Sequence, residues 1–400
     1  MRSDNIINIL LKNIKNPLLK KFFRALQAAY FFAGLTLGEA VFGLGRLIGV
    51  IPKIAPLDPG AIKKILLVRT DRIGDLIESL PAVTALRRRF PQSRIAFLAT
   101  SYTSDILLDV AEINEVLVFD QNYSPSRKQA FFKSLRAEKF DLAISLAPYF
   151  KGALLAFKSG ARWRIGYPDR AAGFLLTHKA DSVDLLKHET ESVLALTRIA
   201  GVDSLEPRAV ISVNQKASSF ALDFMRDSAL TPADIKICIH PGGSQPHTRW
   251  PAARYAQTAS ALMEKYSAKV IFAAGPLDQA VLKEILSLML KKPLVAPAGM
   301  RLRELAALIK NCDIFLGNNS GPMHIAAAVG TPVVAIFGPI HPLEHERKWM
   351  PKGDGHIVVR KAMDCRDCHP GHCRDLKCRD LVSVEDVLGA MATQIKRLKR

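Results

Sequence analysis

Residues 318–328, NNSGPMHIAAA, decide the fold of this 400-residue chain. They follow a short apolar run, Ile314-Phe315-Leu316, which predicts a buried strand, and they pass from a polar turn into a helix of small residues. Such a turn presents backbone N–H groups and the positive end of a helix dipole to an anion. The stretch therefore predicts either a diphosphate site or an ordinary strand-to-helix connection capped by Asn or Ser.

A second strand–turn–helix unit occupies residues 63–86, KKILLVRTDRIGDLIESLPAVTAL. The apolar run after the two lysines predicts a parallel strand, and Gly74 and Asp75 open a helix. The apolar face of that helix is expected at Leu76, Leu80, Val83 and Leu86. Ligands bind at the carboxyl ends of strands in open α/β sheets, so Asp75 is placed to act as a general base. Its alternative role is a plain helix N-cap.

Apolar runs alternate with helical patterns along the rest of the chain, which is typical of βαβ domains. The predicted strands are 65–68, 95–98, 116–119 and 142–146 in a first domain, and 237–239, 270–273, 314–316 and 333–337 in a second. The stretch 201–213, which contains Pro and Ser, indicates the connection. We expect domains at 61–205 and 206–382, followed by a C-terminal helix at 383–400.

A third motif, HPGGSQPHTRWP at residues 240–251, completes a pattern with the two units above. In that order, the three motifs resemble those of the ADP-heptose:lipopolysaccharide heptosyltransferase family, glycosyltransferase family 9. The resemblance spans residues 63–340 and implies an α/β fold of the GT-B type, in which two Rossmann-like domains face each other across a cleft. The first domain is expected to bind the acceptor and the second a nucleotide-sugar donor.

The resemblance also implies a chemistry. A sugar, heptose from ADP-heptose, is transferred with inversion to a hydroxyl of the lipopolysaccharide core or a related glycolipid, with no cofactor needed for catalysis. Asp75 matches the base, and acceptor contacts are expected at Arg72 and Arg87, although Arg87 also suits a solvated helix end. The expected donor-binding residues are Gly242, Gly243, Ser244, Thr248, Arg249, Asn319, Ser320, Gly321, Pro322, Met323 and His324.

Some of these residues have simpler alternatives, and two depart from the family pattern. Ser244 also suits a turn former, and His324 a packed helix residue. Thr248 stands where family members often have lysine, and Arg249 is the expected substitute, although its planar fork differs from an ammonium group. Asn319 stands where an aspartate is common, which removes a charge but keeps hydrogen bonding.

The first 60 residues form an extension before the first predicted strand. Apolar residues recur there at helical spacing among lysines, and a more evenly apolar stretch follows. Glycines and charges interrupt that stretch, so we expect an arm that lies in the membrane interface rather than one that spans it. This predicts a peripheral or monotopic protein at the cytoplasmic face of the inner membrane. The alternative is a helical extension that packs on the protein itself.

The net charge of +19 favours anionic partners, either lipid or a phosphorylated glycolipid. No helix-turn-helix, RNA-recognition or zinc-finger pattern accompanies it, so no nucleic-acid partner is expected. Two other function classes remain open. One is a non-catalytic glycolipid-binding or assembly protein of the same fold, and the other is a nucleic-acid-binding protein that uses the basic surface and the cysteines.

Four cysteines cluster near the C-terminus, Cys365, Cys368, Cys373 and Cys378. Their spacing, C-x2-C-x4-C-x4-C, predicts a structural metal ion, zinc before an iron–sulfur cluster. Disulfides or free thiols are the alternatives.

Overall fold

The computed structural model describes most of the chain outside the N-terminal extension. The described residues are 38–41, 43–44, 54–169, 173–184, 186–203, 208–338, 341, 345–363, 365, 368, 373 and 375–398. Within them the chain builds two six-stranded sheets, and every strand pairing is parallel.

The N-terminal sheet has the strand order β3-β2-β1-β4-β5-β6. Its strands are β1 (Lys64–Val68), β2 (Arg94–Ala99), β3 (Glu115–Val118), β4 (Leu142–Ser145), β5 (Trp163–Gly166) and β6 (His178–Lys179). The helices of this domain are α1 (Ile73–Ile77), α2 (Leu80–Arg89), α3 (Pro125–Ala137), α4 (Phe150–Lys158) and α5 (Glu189–Ile199). Residues Ile65 to Val68 of β1 are wholly buried, because helices cover both faces of a parallel sheet.

One predicted helix is two helices in the structure. The pattern from Leu76 to Leu86 predicted a continuous apolar face, but α1 ends at Ile77 and α2 begins at Leu80. Pro81 lies in the first turn of α2, where a residue without a backbone N–H is tolerated. The break places Glu78 at the end of α1, next to the cleft between the domains.

The C-terminal sheet has the order β12-β11-β10-β7-β8-β9. Its strands are β7 (Lys236–His240), β8 (Lys269–Phe272), β9 (Leu294–Val295), β10 (Ile314–Asn318), β11 (Val333–Ile336) and β12 (Ile357–Val359). Its helices are α6 (Gln215–Asp227), α7 (Ala252–Lys265), α8 (Gln279–Ser287), α9 (Leu302–Lys310), α10 (Gly321–Ala328), α11 (Glu346–Trp349), α12 (Lys377–Asp380) and α13 (Val384–Leu398). Single turns of 3₁₀ helix occur at Pro59–Ala61, Ser104–Leu107, Gly173–Leu175, Pro246–Thr248 and Pro276–Asp278.

The prediction of an α/β fold of the GT-B type is confirmed, and all eight predicted strands are present. Four more strands, β5, β6, β9 and β12, were not predicted. Three of them lie at sheet edges and have only two or three residues, and Arg164 interrupts the apolar run of β5.

The predicted membrane-associating extension lies mostly outside the described residues. Of its described part, residues 38–41 and 43–44 are helical, and the Glu39 carboxylate lies 2.6 Å from Lys179 Nζ in β6. Within the described residues, no helix is both long and apolar enough to cross a membrane.

Candidate active site

A cavity of about 410 Å³ lies between the two sheets. The turn from β1 to α1 forms one wall, and the turn from β10 to α10 faces it from the other domain. Both turns follow the carboxyl end of a central strand, where open α/β sheets bind ligands. The two sequence motifs that decided the fold therefore meet in one site.

Two glycines allow the domains to approach closely. A Cβ at Gly74 would lie 2.7 Å from Cδ2 of His324, and a Cβ at Gly321 would lie 2.8 Å from Cβ of Ile73. Each glycine thus makes room for a side chain of the opposite domain. Gly321, an expected donor-binding residue, lines the cavity, and it is also the point where Ile73 of the other domain packs.

Arg69 is the centre of the charged wall of the cavity, although its side chain is only 1% exposed. Its Nη2 donates to Asp75 Oδ1 at 2.8 Å and to Glu189 Oε1 at 2.7 Å, and Nη1 donates to the carbonyl of Leu146 at 2.6 Å. Its Nε lies 3.1 Å from Asp71 Oδ2, an ion pair without the alignment of a hydrogen bond. Three carboxylates share one guanidinium, which holds Asp75 in place at the cavity.

The charge balance of this wall shows in its pKa values. Burial alone would lower the pKa of Arg69, but Glu189, Asp75 and Asp71 raise it above its ordinary value. Burial raises the pKa of Asp71, against the lowering effect of Arg69. Burial alone would also raise the pKa of Glu189, but Arg69 and Lys348 hold it below its ordinary value. Glu189 therefore stays ionised at neutral pH.

Glu78 forms a second polar connection between the domains. Its Oε1 lies 2.7 Å from His324 Nδ1, and its Oε2 accepts a hydrogen bond from the hydroxyl of Thr190. Burial alone would raise the pKa of Glu78, but its hydrogen bond with His324 holds it below the ordinary value. Since an ionised carboxylate only accepts hydrogen bonds, His324 Nδ1 must carry a proton. The ring of Trp349 packs edge-on against the imidazole.

Asn318, at the end of β10, is fully buried and connects this strand to the HPGGS turn and to α7. Its Oδ1 accepts from the N–H of Trp250 and from the hydroxyl of Tyr255, both at 2.9 Å. Its Nδ2 donates to the carbonyls of Pro241 and Gly242, at 2.8 and 3.0 Å. The two bonds from Nδ2 fix the HPGGS turn beside β10, and the two bonds to Oδ1 hold the amide in that orientation.

Asp278 supports the same turn from the end of β8. Its Oδ1 accepts a hydrogen bond from Gly243 N at 3.2 Å, and its Oδ2 lies 3.5 Å from His240 Nε2. Burial lowers the pKa of His240. A Cβ at Gly242 would lie 2.0 Å from Cγ of Asp278, so the carboxylate needs glycine there. Asp278 and His240 both line the cavity.

Most of the predicted site residues line the cavity. They are Arg72, Asp75, Gly243, Ser244, Thr248, Asn319, Ser320, Gly321, Pro322 and His324. Asp75 is not an N-cap, because Arg72 occupies that position and Asp75 lies in the first turn of α1. The hydroxyl oxygen of Ser320 is buried and has no hydrogen-bond partner among the described residues, so it is available to a ligand.

Four predicted residues are not among those that line the cavity. Gly242 belongs to the HPGGS turn and packs against Asp278. Arg249 donates from Nε to the carbonyl of Gly243 at 2.7 Å, which braces the turn. Met323 is a correction: it is wholly buried in the hydrophobic core, because successive helix residues point about 100° apart and His324 takes the cleft side.

Arg87 is the second correction among the predicted contacts. Its Nη1 donates to the carbonyl of Ser93 at 2.7 Å, and its Nη2 donates to the carbonyl of Glu112 at 2.9 Å. A third bond joins Nη2 to Asn114 Oδ1 at 2.6 Å. The guanidinium thus holds the loops around β2, and Arg87 is not among the residues that line the cavity.

The four clustered cysteines, Cys365, Cys368, Cys373 and Cys378, are all among the residues that the structure describes. No three or more His, Cys, Asp or Glu side chains lie close enough to hold a metal ion in the part of the chain that the structure describes. Cys373 Sγ accepts a hydrogen bond from Leu376 N at 3.3 Å. Burial and the other three thiols raise the pKa of Cys378.

Two facing Rossmann-like domains, a carboxylate on one wall and a polar helix start on the other define a glycosyltransferase of the GT-B type. A family model, glycosyltransferase family 9 (heptosyltransferase), matches residues 128–378. The chain belongs to that family.

Relatives and solved structures agree with this assignment. Lipopolysaccharide heptosyltransferase 3 of Escherichia coli is 31% identical over 276 residues, which cover 66% of this chain and 80% of the relative. The glycosyltransferase family 9 structure from Veillonella parvula has a TM-score of 0.76 at 25% identity and covers 86% of this chain and all of its own. The structure of E. coli ADP-heptose lipopolysaccharide heptosyltransferase II has a TM-score of 0.70 at 23% identity, with 84% and 100% coverage.

Proposed function

We propose that the protein transfers heptose from ADP-heptose, with inversion, to a hydroxyl of the lipopolysaccharide core. The observation that carries this proposal is the carboxylate of Asp75, which Arg69 holds at the cavity wall opposite the β10–α10 turn. The names of the relatives, which are lipopolysaccharide heptosyltransferases, support the donor and the acceptor.

In the proposed reaction, Asp75 takes the proton of the acceptor hydroxyl as the new C–O bond forms at the anomeric carbon. The bond from that carbon to the diphosphate breaks at the same time, and ADP leaves with the electron pair. A direct displacement of this kind inverts the anomeric centre and needs a single base. Arg69 also pairs with Glu189 and Asp71, so its single positive charge is shared by three carboxylates. Arg69 therefore does not fully neutralise Asp75, which suits the role of a base.

In the proposal, the leaving diphosphate meets the cavity wall formed by the β10–α10 turn. There the hydroxyl of Ser320 is buried without a protein partner, and the start of α10 places a positive dipole end at the same point. Thr248 lines the cavity at the position where family members often have a lysine. Hydrogen bonds and the helix dipole must therefore supply more of the stabilisation of the departing negative charge.

Turnover with a panel of nucleotide sugars tests the proposal. Purified protein is incubated with a heptose-deficient lipopolysaccharide core and with ADP-heptose, ADP-glucose or UDP-glucose, and ADP or UDP release is measured with and without acceptor. We expect acceptor-dependent release with ADP-heptose, and NMR of the product should show inversion. Turnover restricted to another donor would overturn the heptosyl assignment, and no turnover with any donor would favour the non-catalytic binding protein.

A location at the cytoplasmic face of the inner membrane is the second part of the proposal. The net charge of +19 and the basic extension support it, because each Lys or Arg near an anionic leaflet contributes on the order of 1 kcal/mol. Deletion of residues 1–37 leaves the Glu39–Lys179 contact intact. The shortened chain should no longer float with phosphatidylglycerol vesicles, whereas continued flotation would place the membrane contact elsewhere.

A structural zinc ion at the four cysteines stays a prediction, supported by their spacing. No catalytic step depends on it. Metal analysis of anaerobically purified protein should find near-stoichiometric zinc that Cys365→Ser removes and Cys312→Ser, in the core, retains. Metal-free parent protein with a normal melting temperature would contradict the prediction.

A further inference from the structure

Lys348 is a buried cation that the proposed chemistry does not use. It belongs to α11 of the C-terminal domain, and only 4% of it is exposed. Its Nζ lies 2.7 Å from Glu189 Oε2 in α5 of the N-terminal domain. Burial of a lysine is costly unless the charge is paired, so the contact between the two domains fixes where Lys348 lies.

Glu189 connects Lys348 to Arg69, which in turn binds the proposed base, Asp75. One carboxylate oxygen binds Lys348, and the other accepts from Arg69 Nη2 at 2.7 Å. The same Nη2 donates to Asp75 Oδ1 at 2.8 Å. Nη2 carries two N–H bonds, so Glu189 and Asp75 each accept one of them from the same nitrogen of Arg69. The pull of Lys348 on Glu189 therefore affects where that nitrogen lies and how its charge is shared with Asp75.

The surroundings of α5 make the link specific. Its N-terminal end rests on the segment around α11 through two further contacts, from His188 Nε2 to the carbonyl of Met350 at 2.9 Å and from Glu191 to Lys352 at 3.3 Å. The Glu191–Lys352 pair joins the same two elements, but it is exposed and has no bond to Arg69. It is therefore a matched control for the buried pair.

We propose that Lys348 is a positioning residue that acts through Glu189 and Arg69 to set the place and the charge environment of Asp75. The inference rests on the proposed function, because it assigns a partner to the base of that reaction. It makes the base dependent on the C-terminal domain: only when α11 lies against α5 is the Lys348–Glu189–Arg69–Asp75 chain complete.

The other charged groups around Asp75 are the same in every variant of the test. On its own domain these are Arg72, at the start of α1, and Asp71, which also pairs with Arg69 and is faced by Lys151. From the other domain, His324 packs against Gly74, and its Nδ1 is held by Glu78. A change in the pH profile that appears only when Lys348 or Glu189 is replaced can therefore be assigned to the Lys348–Glu189–Arg69–Asp75 contacts.

Replacement of Lys348 and replacement of Glu189 should have opposite effects on the pH dependence of kcat/KM. Lys348→Met removes a positive charge, so the acid limb of the kcat/KM profile should move to higher pH, whereas Glu189→Gln removes a negative charge and should move it to lower pH. Both should lower kcat roughly tenfold or more and leave the donor Kd within about twofold. Lys348→Arg, which keeps the positive charge, should retain most of the parent kcat. Lys352→Met should have the kcat and the pH profile of the parent enzyme.

Crystal structures supply a readout that needs no turnover. In Lys348→Met the Glu189 carboxylate should turn both oxygens to Arg69 and lengthen the Arg69–Asp75 contact, which Lys352→Met should leave unchanged. Acid limbs that coincide in all variants, or an unmoved Asp75 in Lys348→Met, would overturn the inference. A parent enzyme inactive with ADP-heptose would instead refute the proposed function, and the structural comparison would still decide the inference.

Discussion

The two walls of the cavity are built from the same strand–turn–helix unit and yet differ in chemistry. The β1–α1 wall holds Arg69 among three carboxylates, whereas the β10–α10 wall presents hydroxyl, amide and backbone groups around Ser320. Groups that titrate suit proton transfer, and neutral donors suit a diphosphate that arrives and leaves charged. The fold supplies two equivalent edges, and in the proposed function the residues after one strand take the proton while those after the other hold the diphosphate.

Replacement of the base should break this division most severely. Asp75→Asn keeps an oxygen that accepts from Arg69, so folding should be retained while kcat falls by about 10²–10⁴-fold. The donor Kd, measured by calorimetry, should be nearly unchanged because the donor meets the other wall. Asp71→Asn, which alters the second carboxylate on Arg69, should retain at least a tenth of the turnover. Turnover of Asp75→Asn within threefold of the parent would remove Asp75 from the role.

The β10–α10 wall depends on Asn318 for its shape. Asn318→Leu leaves two carbonyls, the Trp250 N–H and the Tyr255 hydroxyl without their partner, so the free energy of unfolding should fall by about 3 kcal/mol or more. Asn311→Leu is the control, since its side chain makes one bond to Ala307 in its own helix, and it should cost less than about 1 kcal/mol. Urea denaturation of both variants measures the difference. Equal losses would mean that Asn318 does not hold the turn.

The contact between the walls gives a smaller effect. Gly321→Val places a side chain against Ile73, so the cleft should close less fully and the donor Kd should rise about 10–100-fold, or roughly 1.4–2.8 kcal/mol. Ile73→Ala in the same chain should recover part of the loss. Gly389→Ala, at a helix position with open space around it, should change neither affinity nor activity. An unchanged Kd in Gly321→Val would show that the walls separate freely when the donor binds.

The sequence predicted the two walls better than the links between them. Each predicted central strand is a continuous apolar run, and the turn residues follow it directly, so Asp75 and Ser320 were visible. Arg69 had a signal that was missed: a charged residue directly after a buried strand marks the ligand edge of the sheet. Edge strands of two or three residues carry too little pattern to be seen.

The residues that join the domains had no local signal. Glu78 pairs with His324, which is 246 positions away, and Glu189 pairs with Lys348 across the cleft. No periodicity or spacing in one sequence predicts contacts of that separation. Met323 was expected at the donor because the whole motif was treated as a surface, whereas only one side of a helix can face a ligand, and the Met323 side chain lies on the buried side.

The smallest expected effect concerns the pH response of the Glu78–His324 contact, which joins the two walls. The pKa of Glu78 lies below its ordinary value of 4.5 in the folded chain, so its contribution to stability is complete above pH 4.5 and is lost as the pH falls toward the folded value. Glu78→Gln should remove that loss, and the free energy of unfolding between about pH 5 and 3 should fall less steeply, by at most about 1.4 kcal/mol per pH unit for one proton. Glu304→Gln is the control: its pKa is lowered by Arg301 on the surface of the C-terminal domain, where solvent weakens the pair. Urea denaturation at several pH values measures both slopes. If Glu304→Gln flattens the curve as much as Glu78→Gln, the acid response belongs to the protein surface and the Glu78–His324 contact has no special part in it.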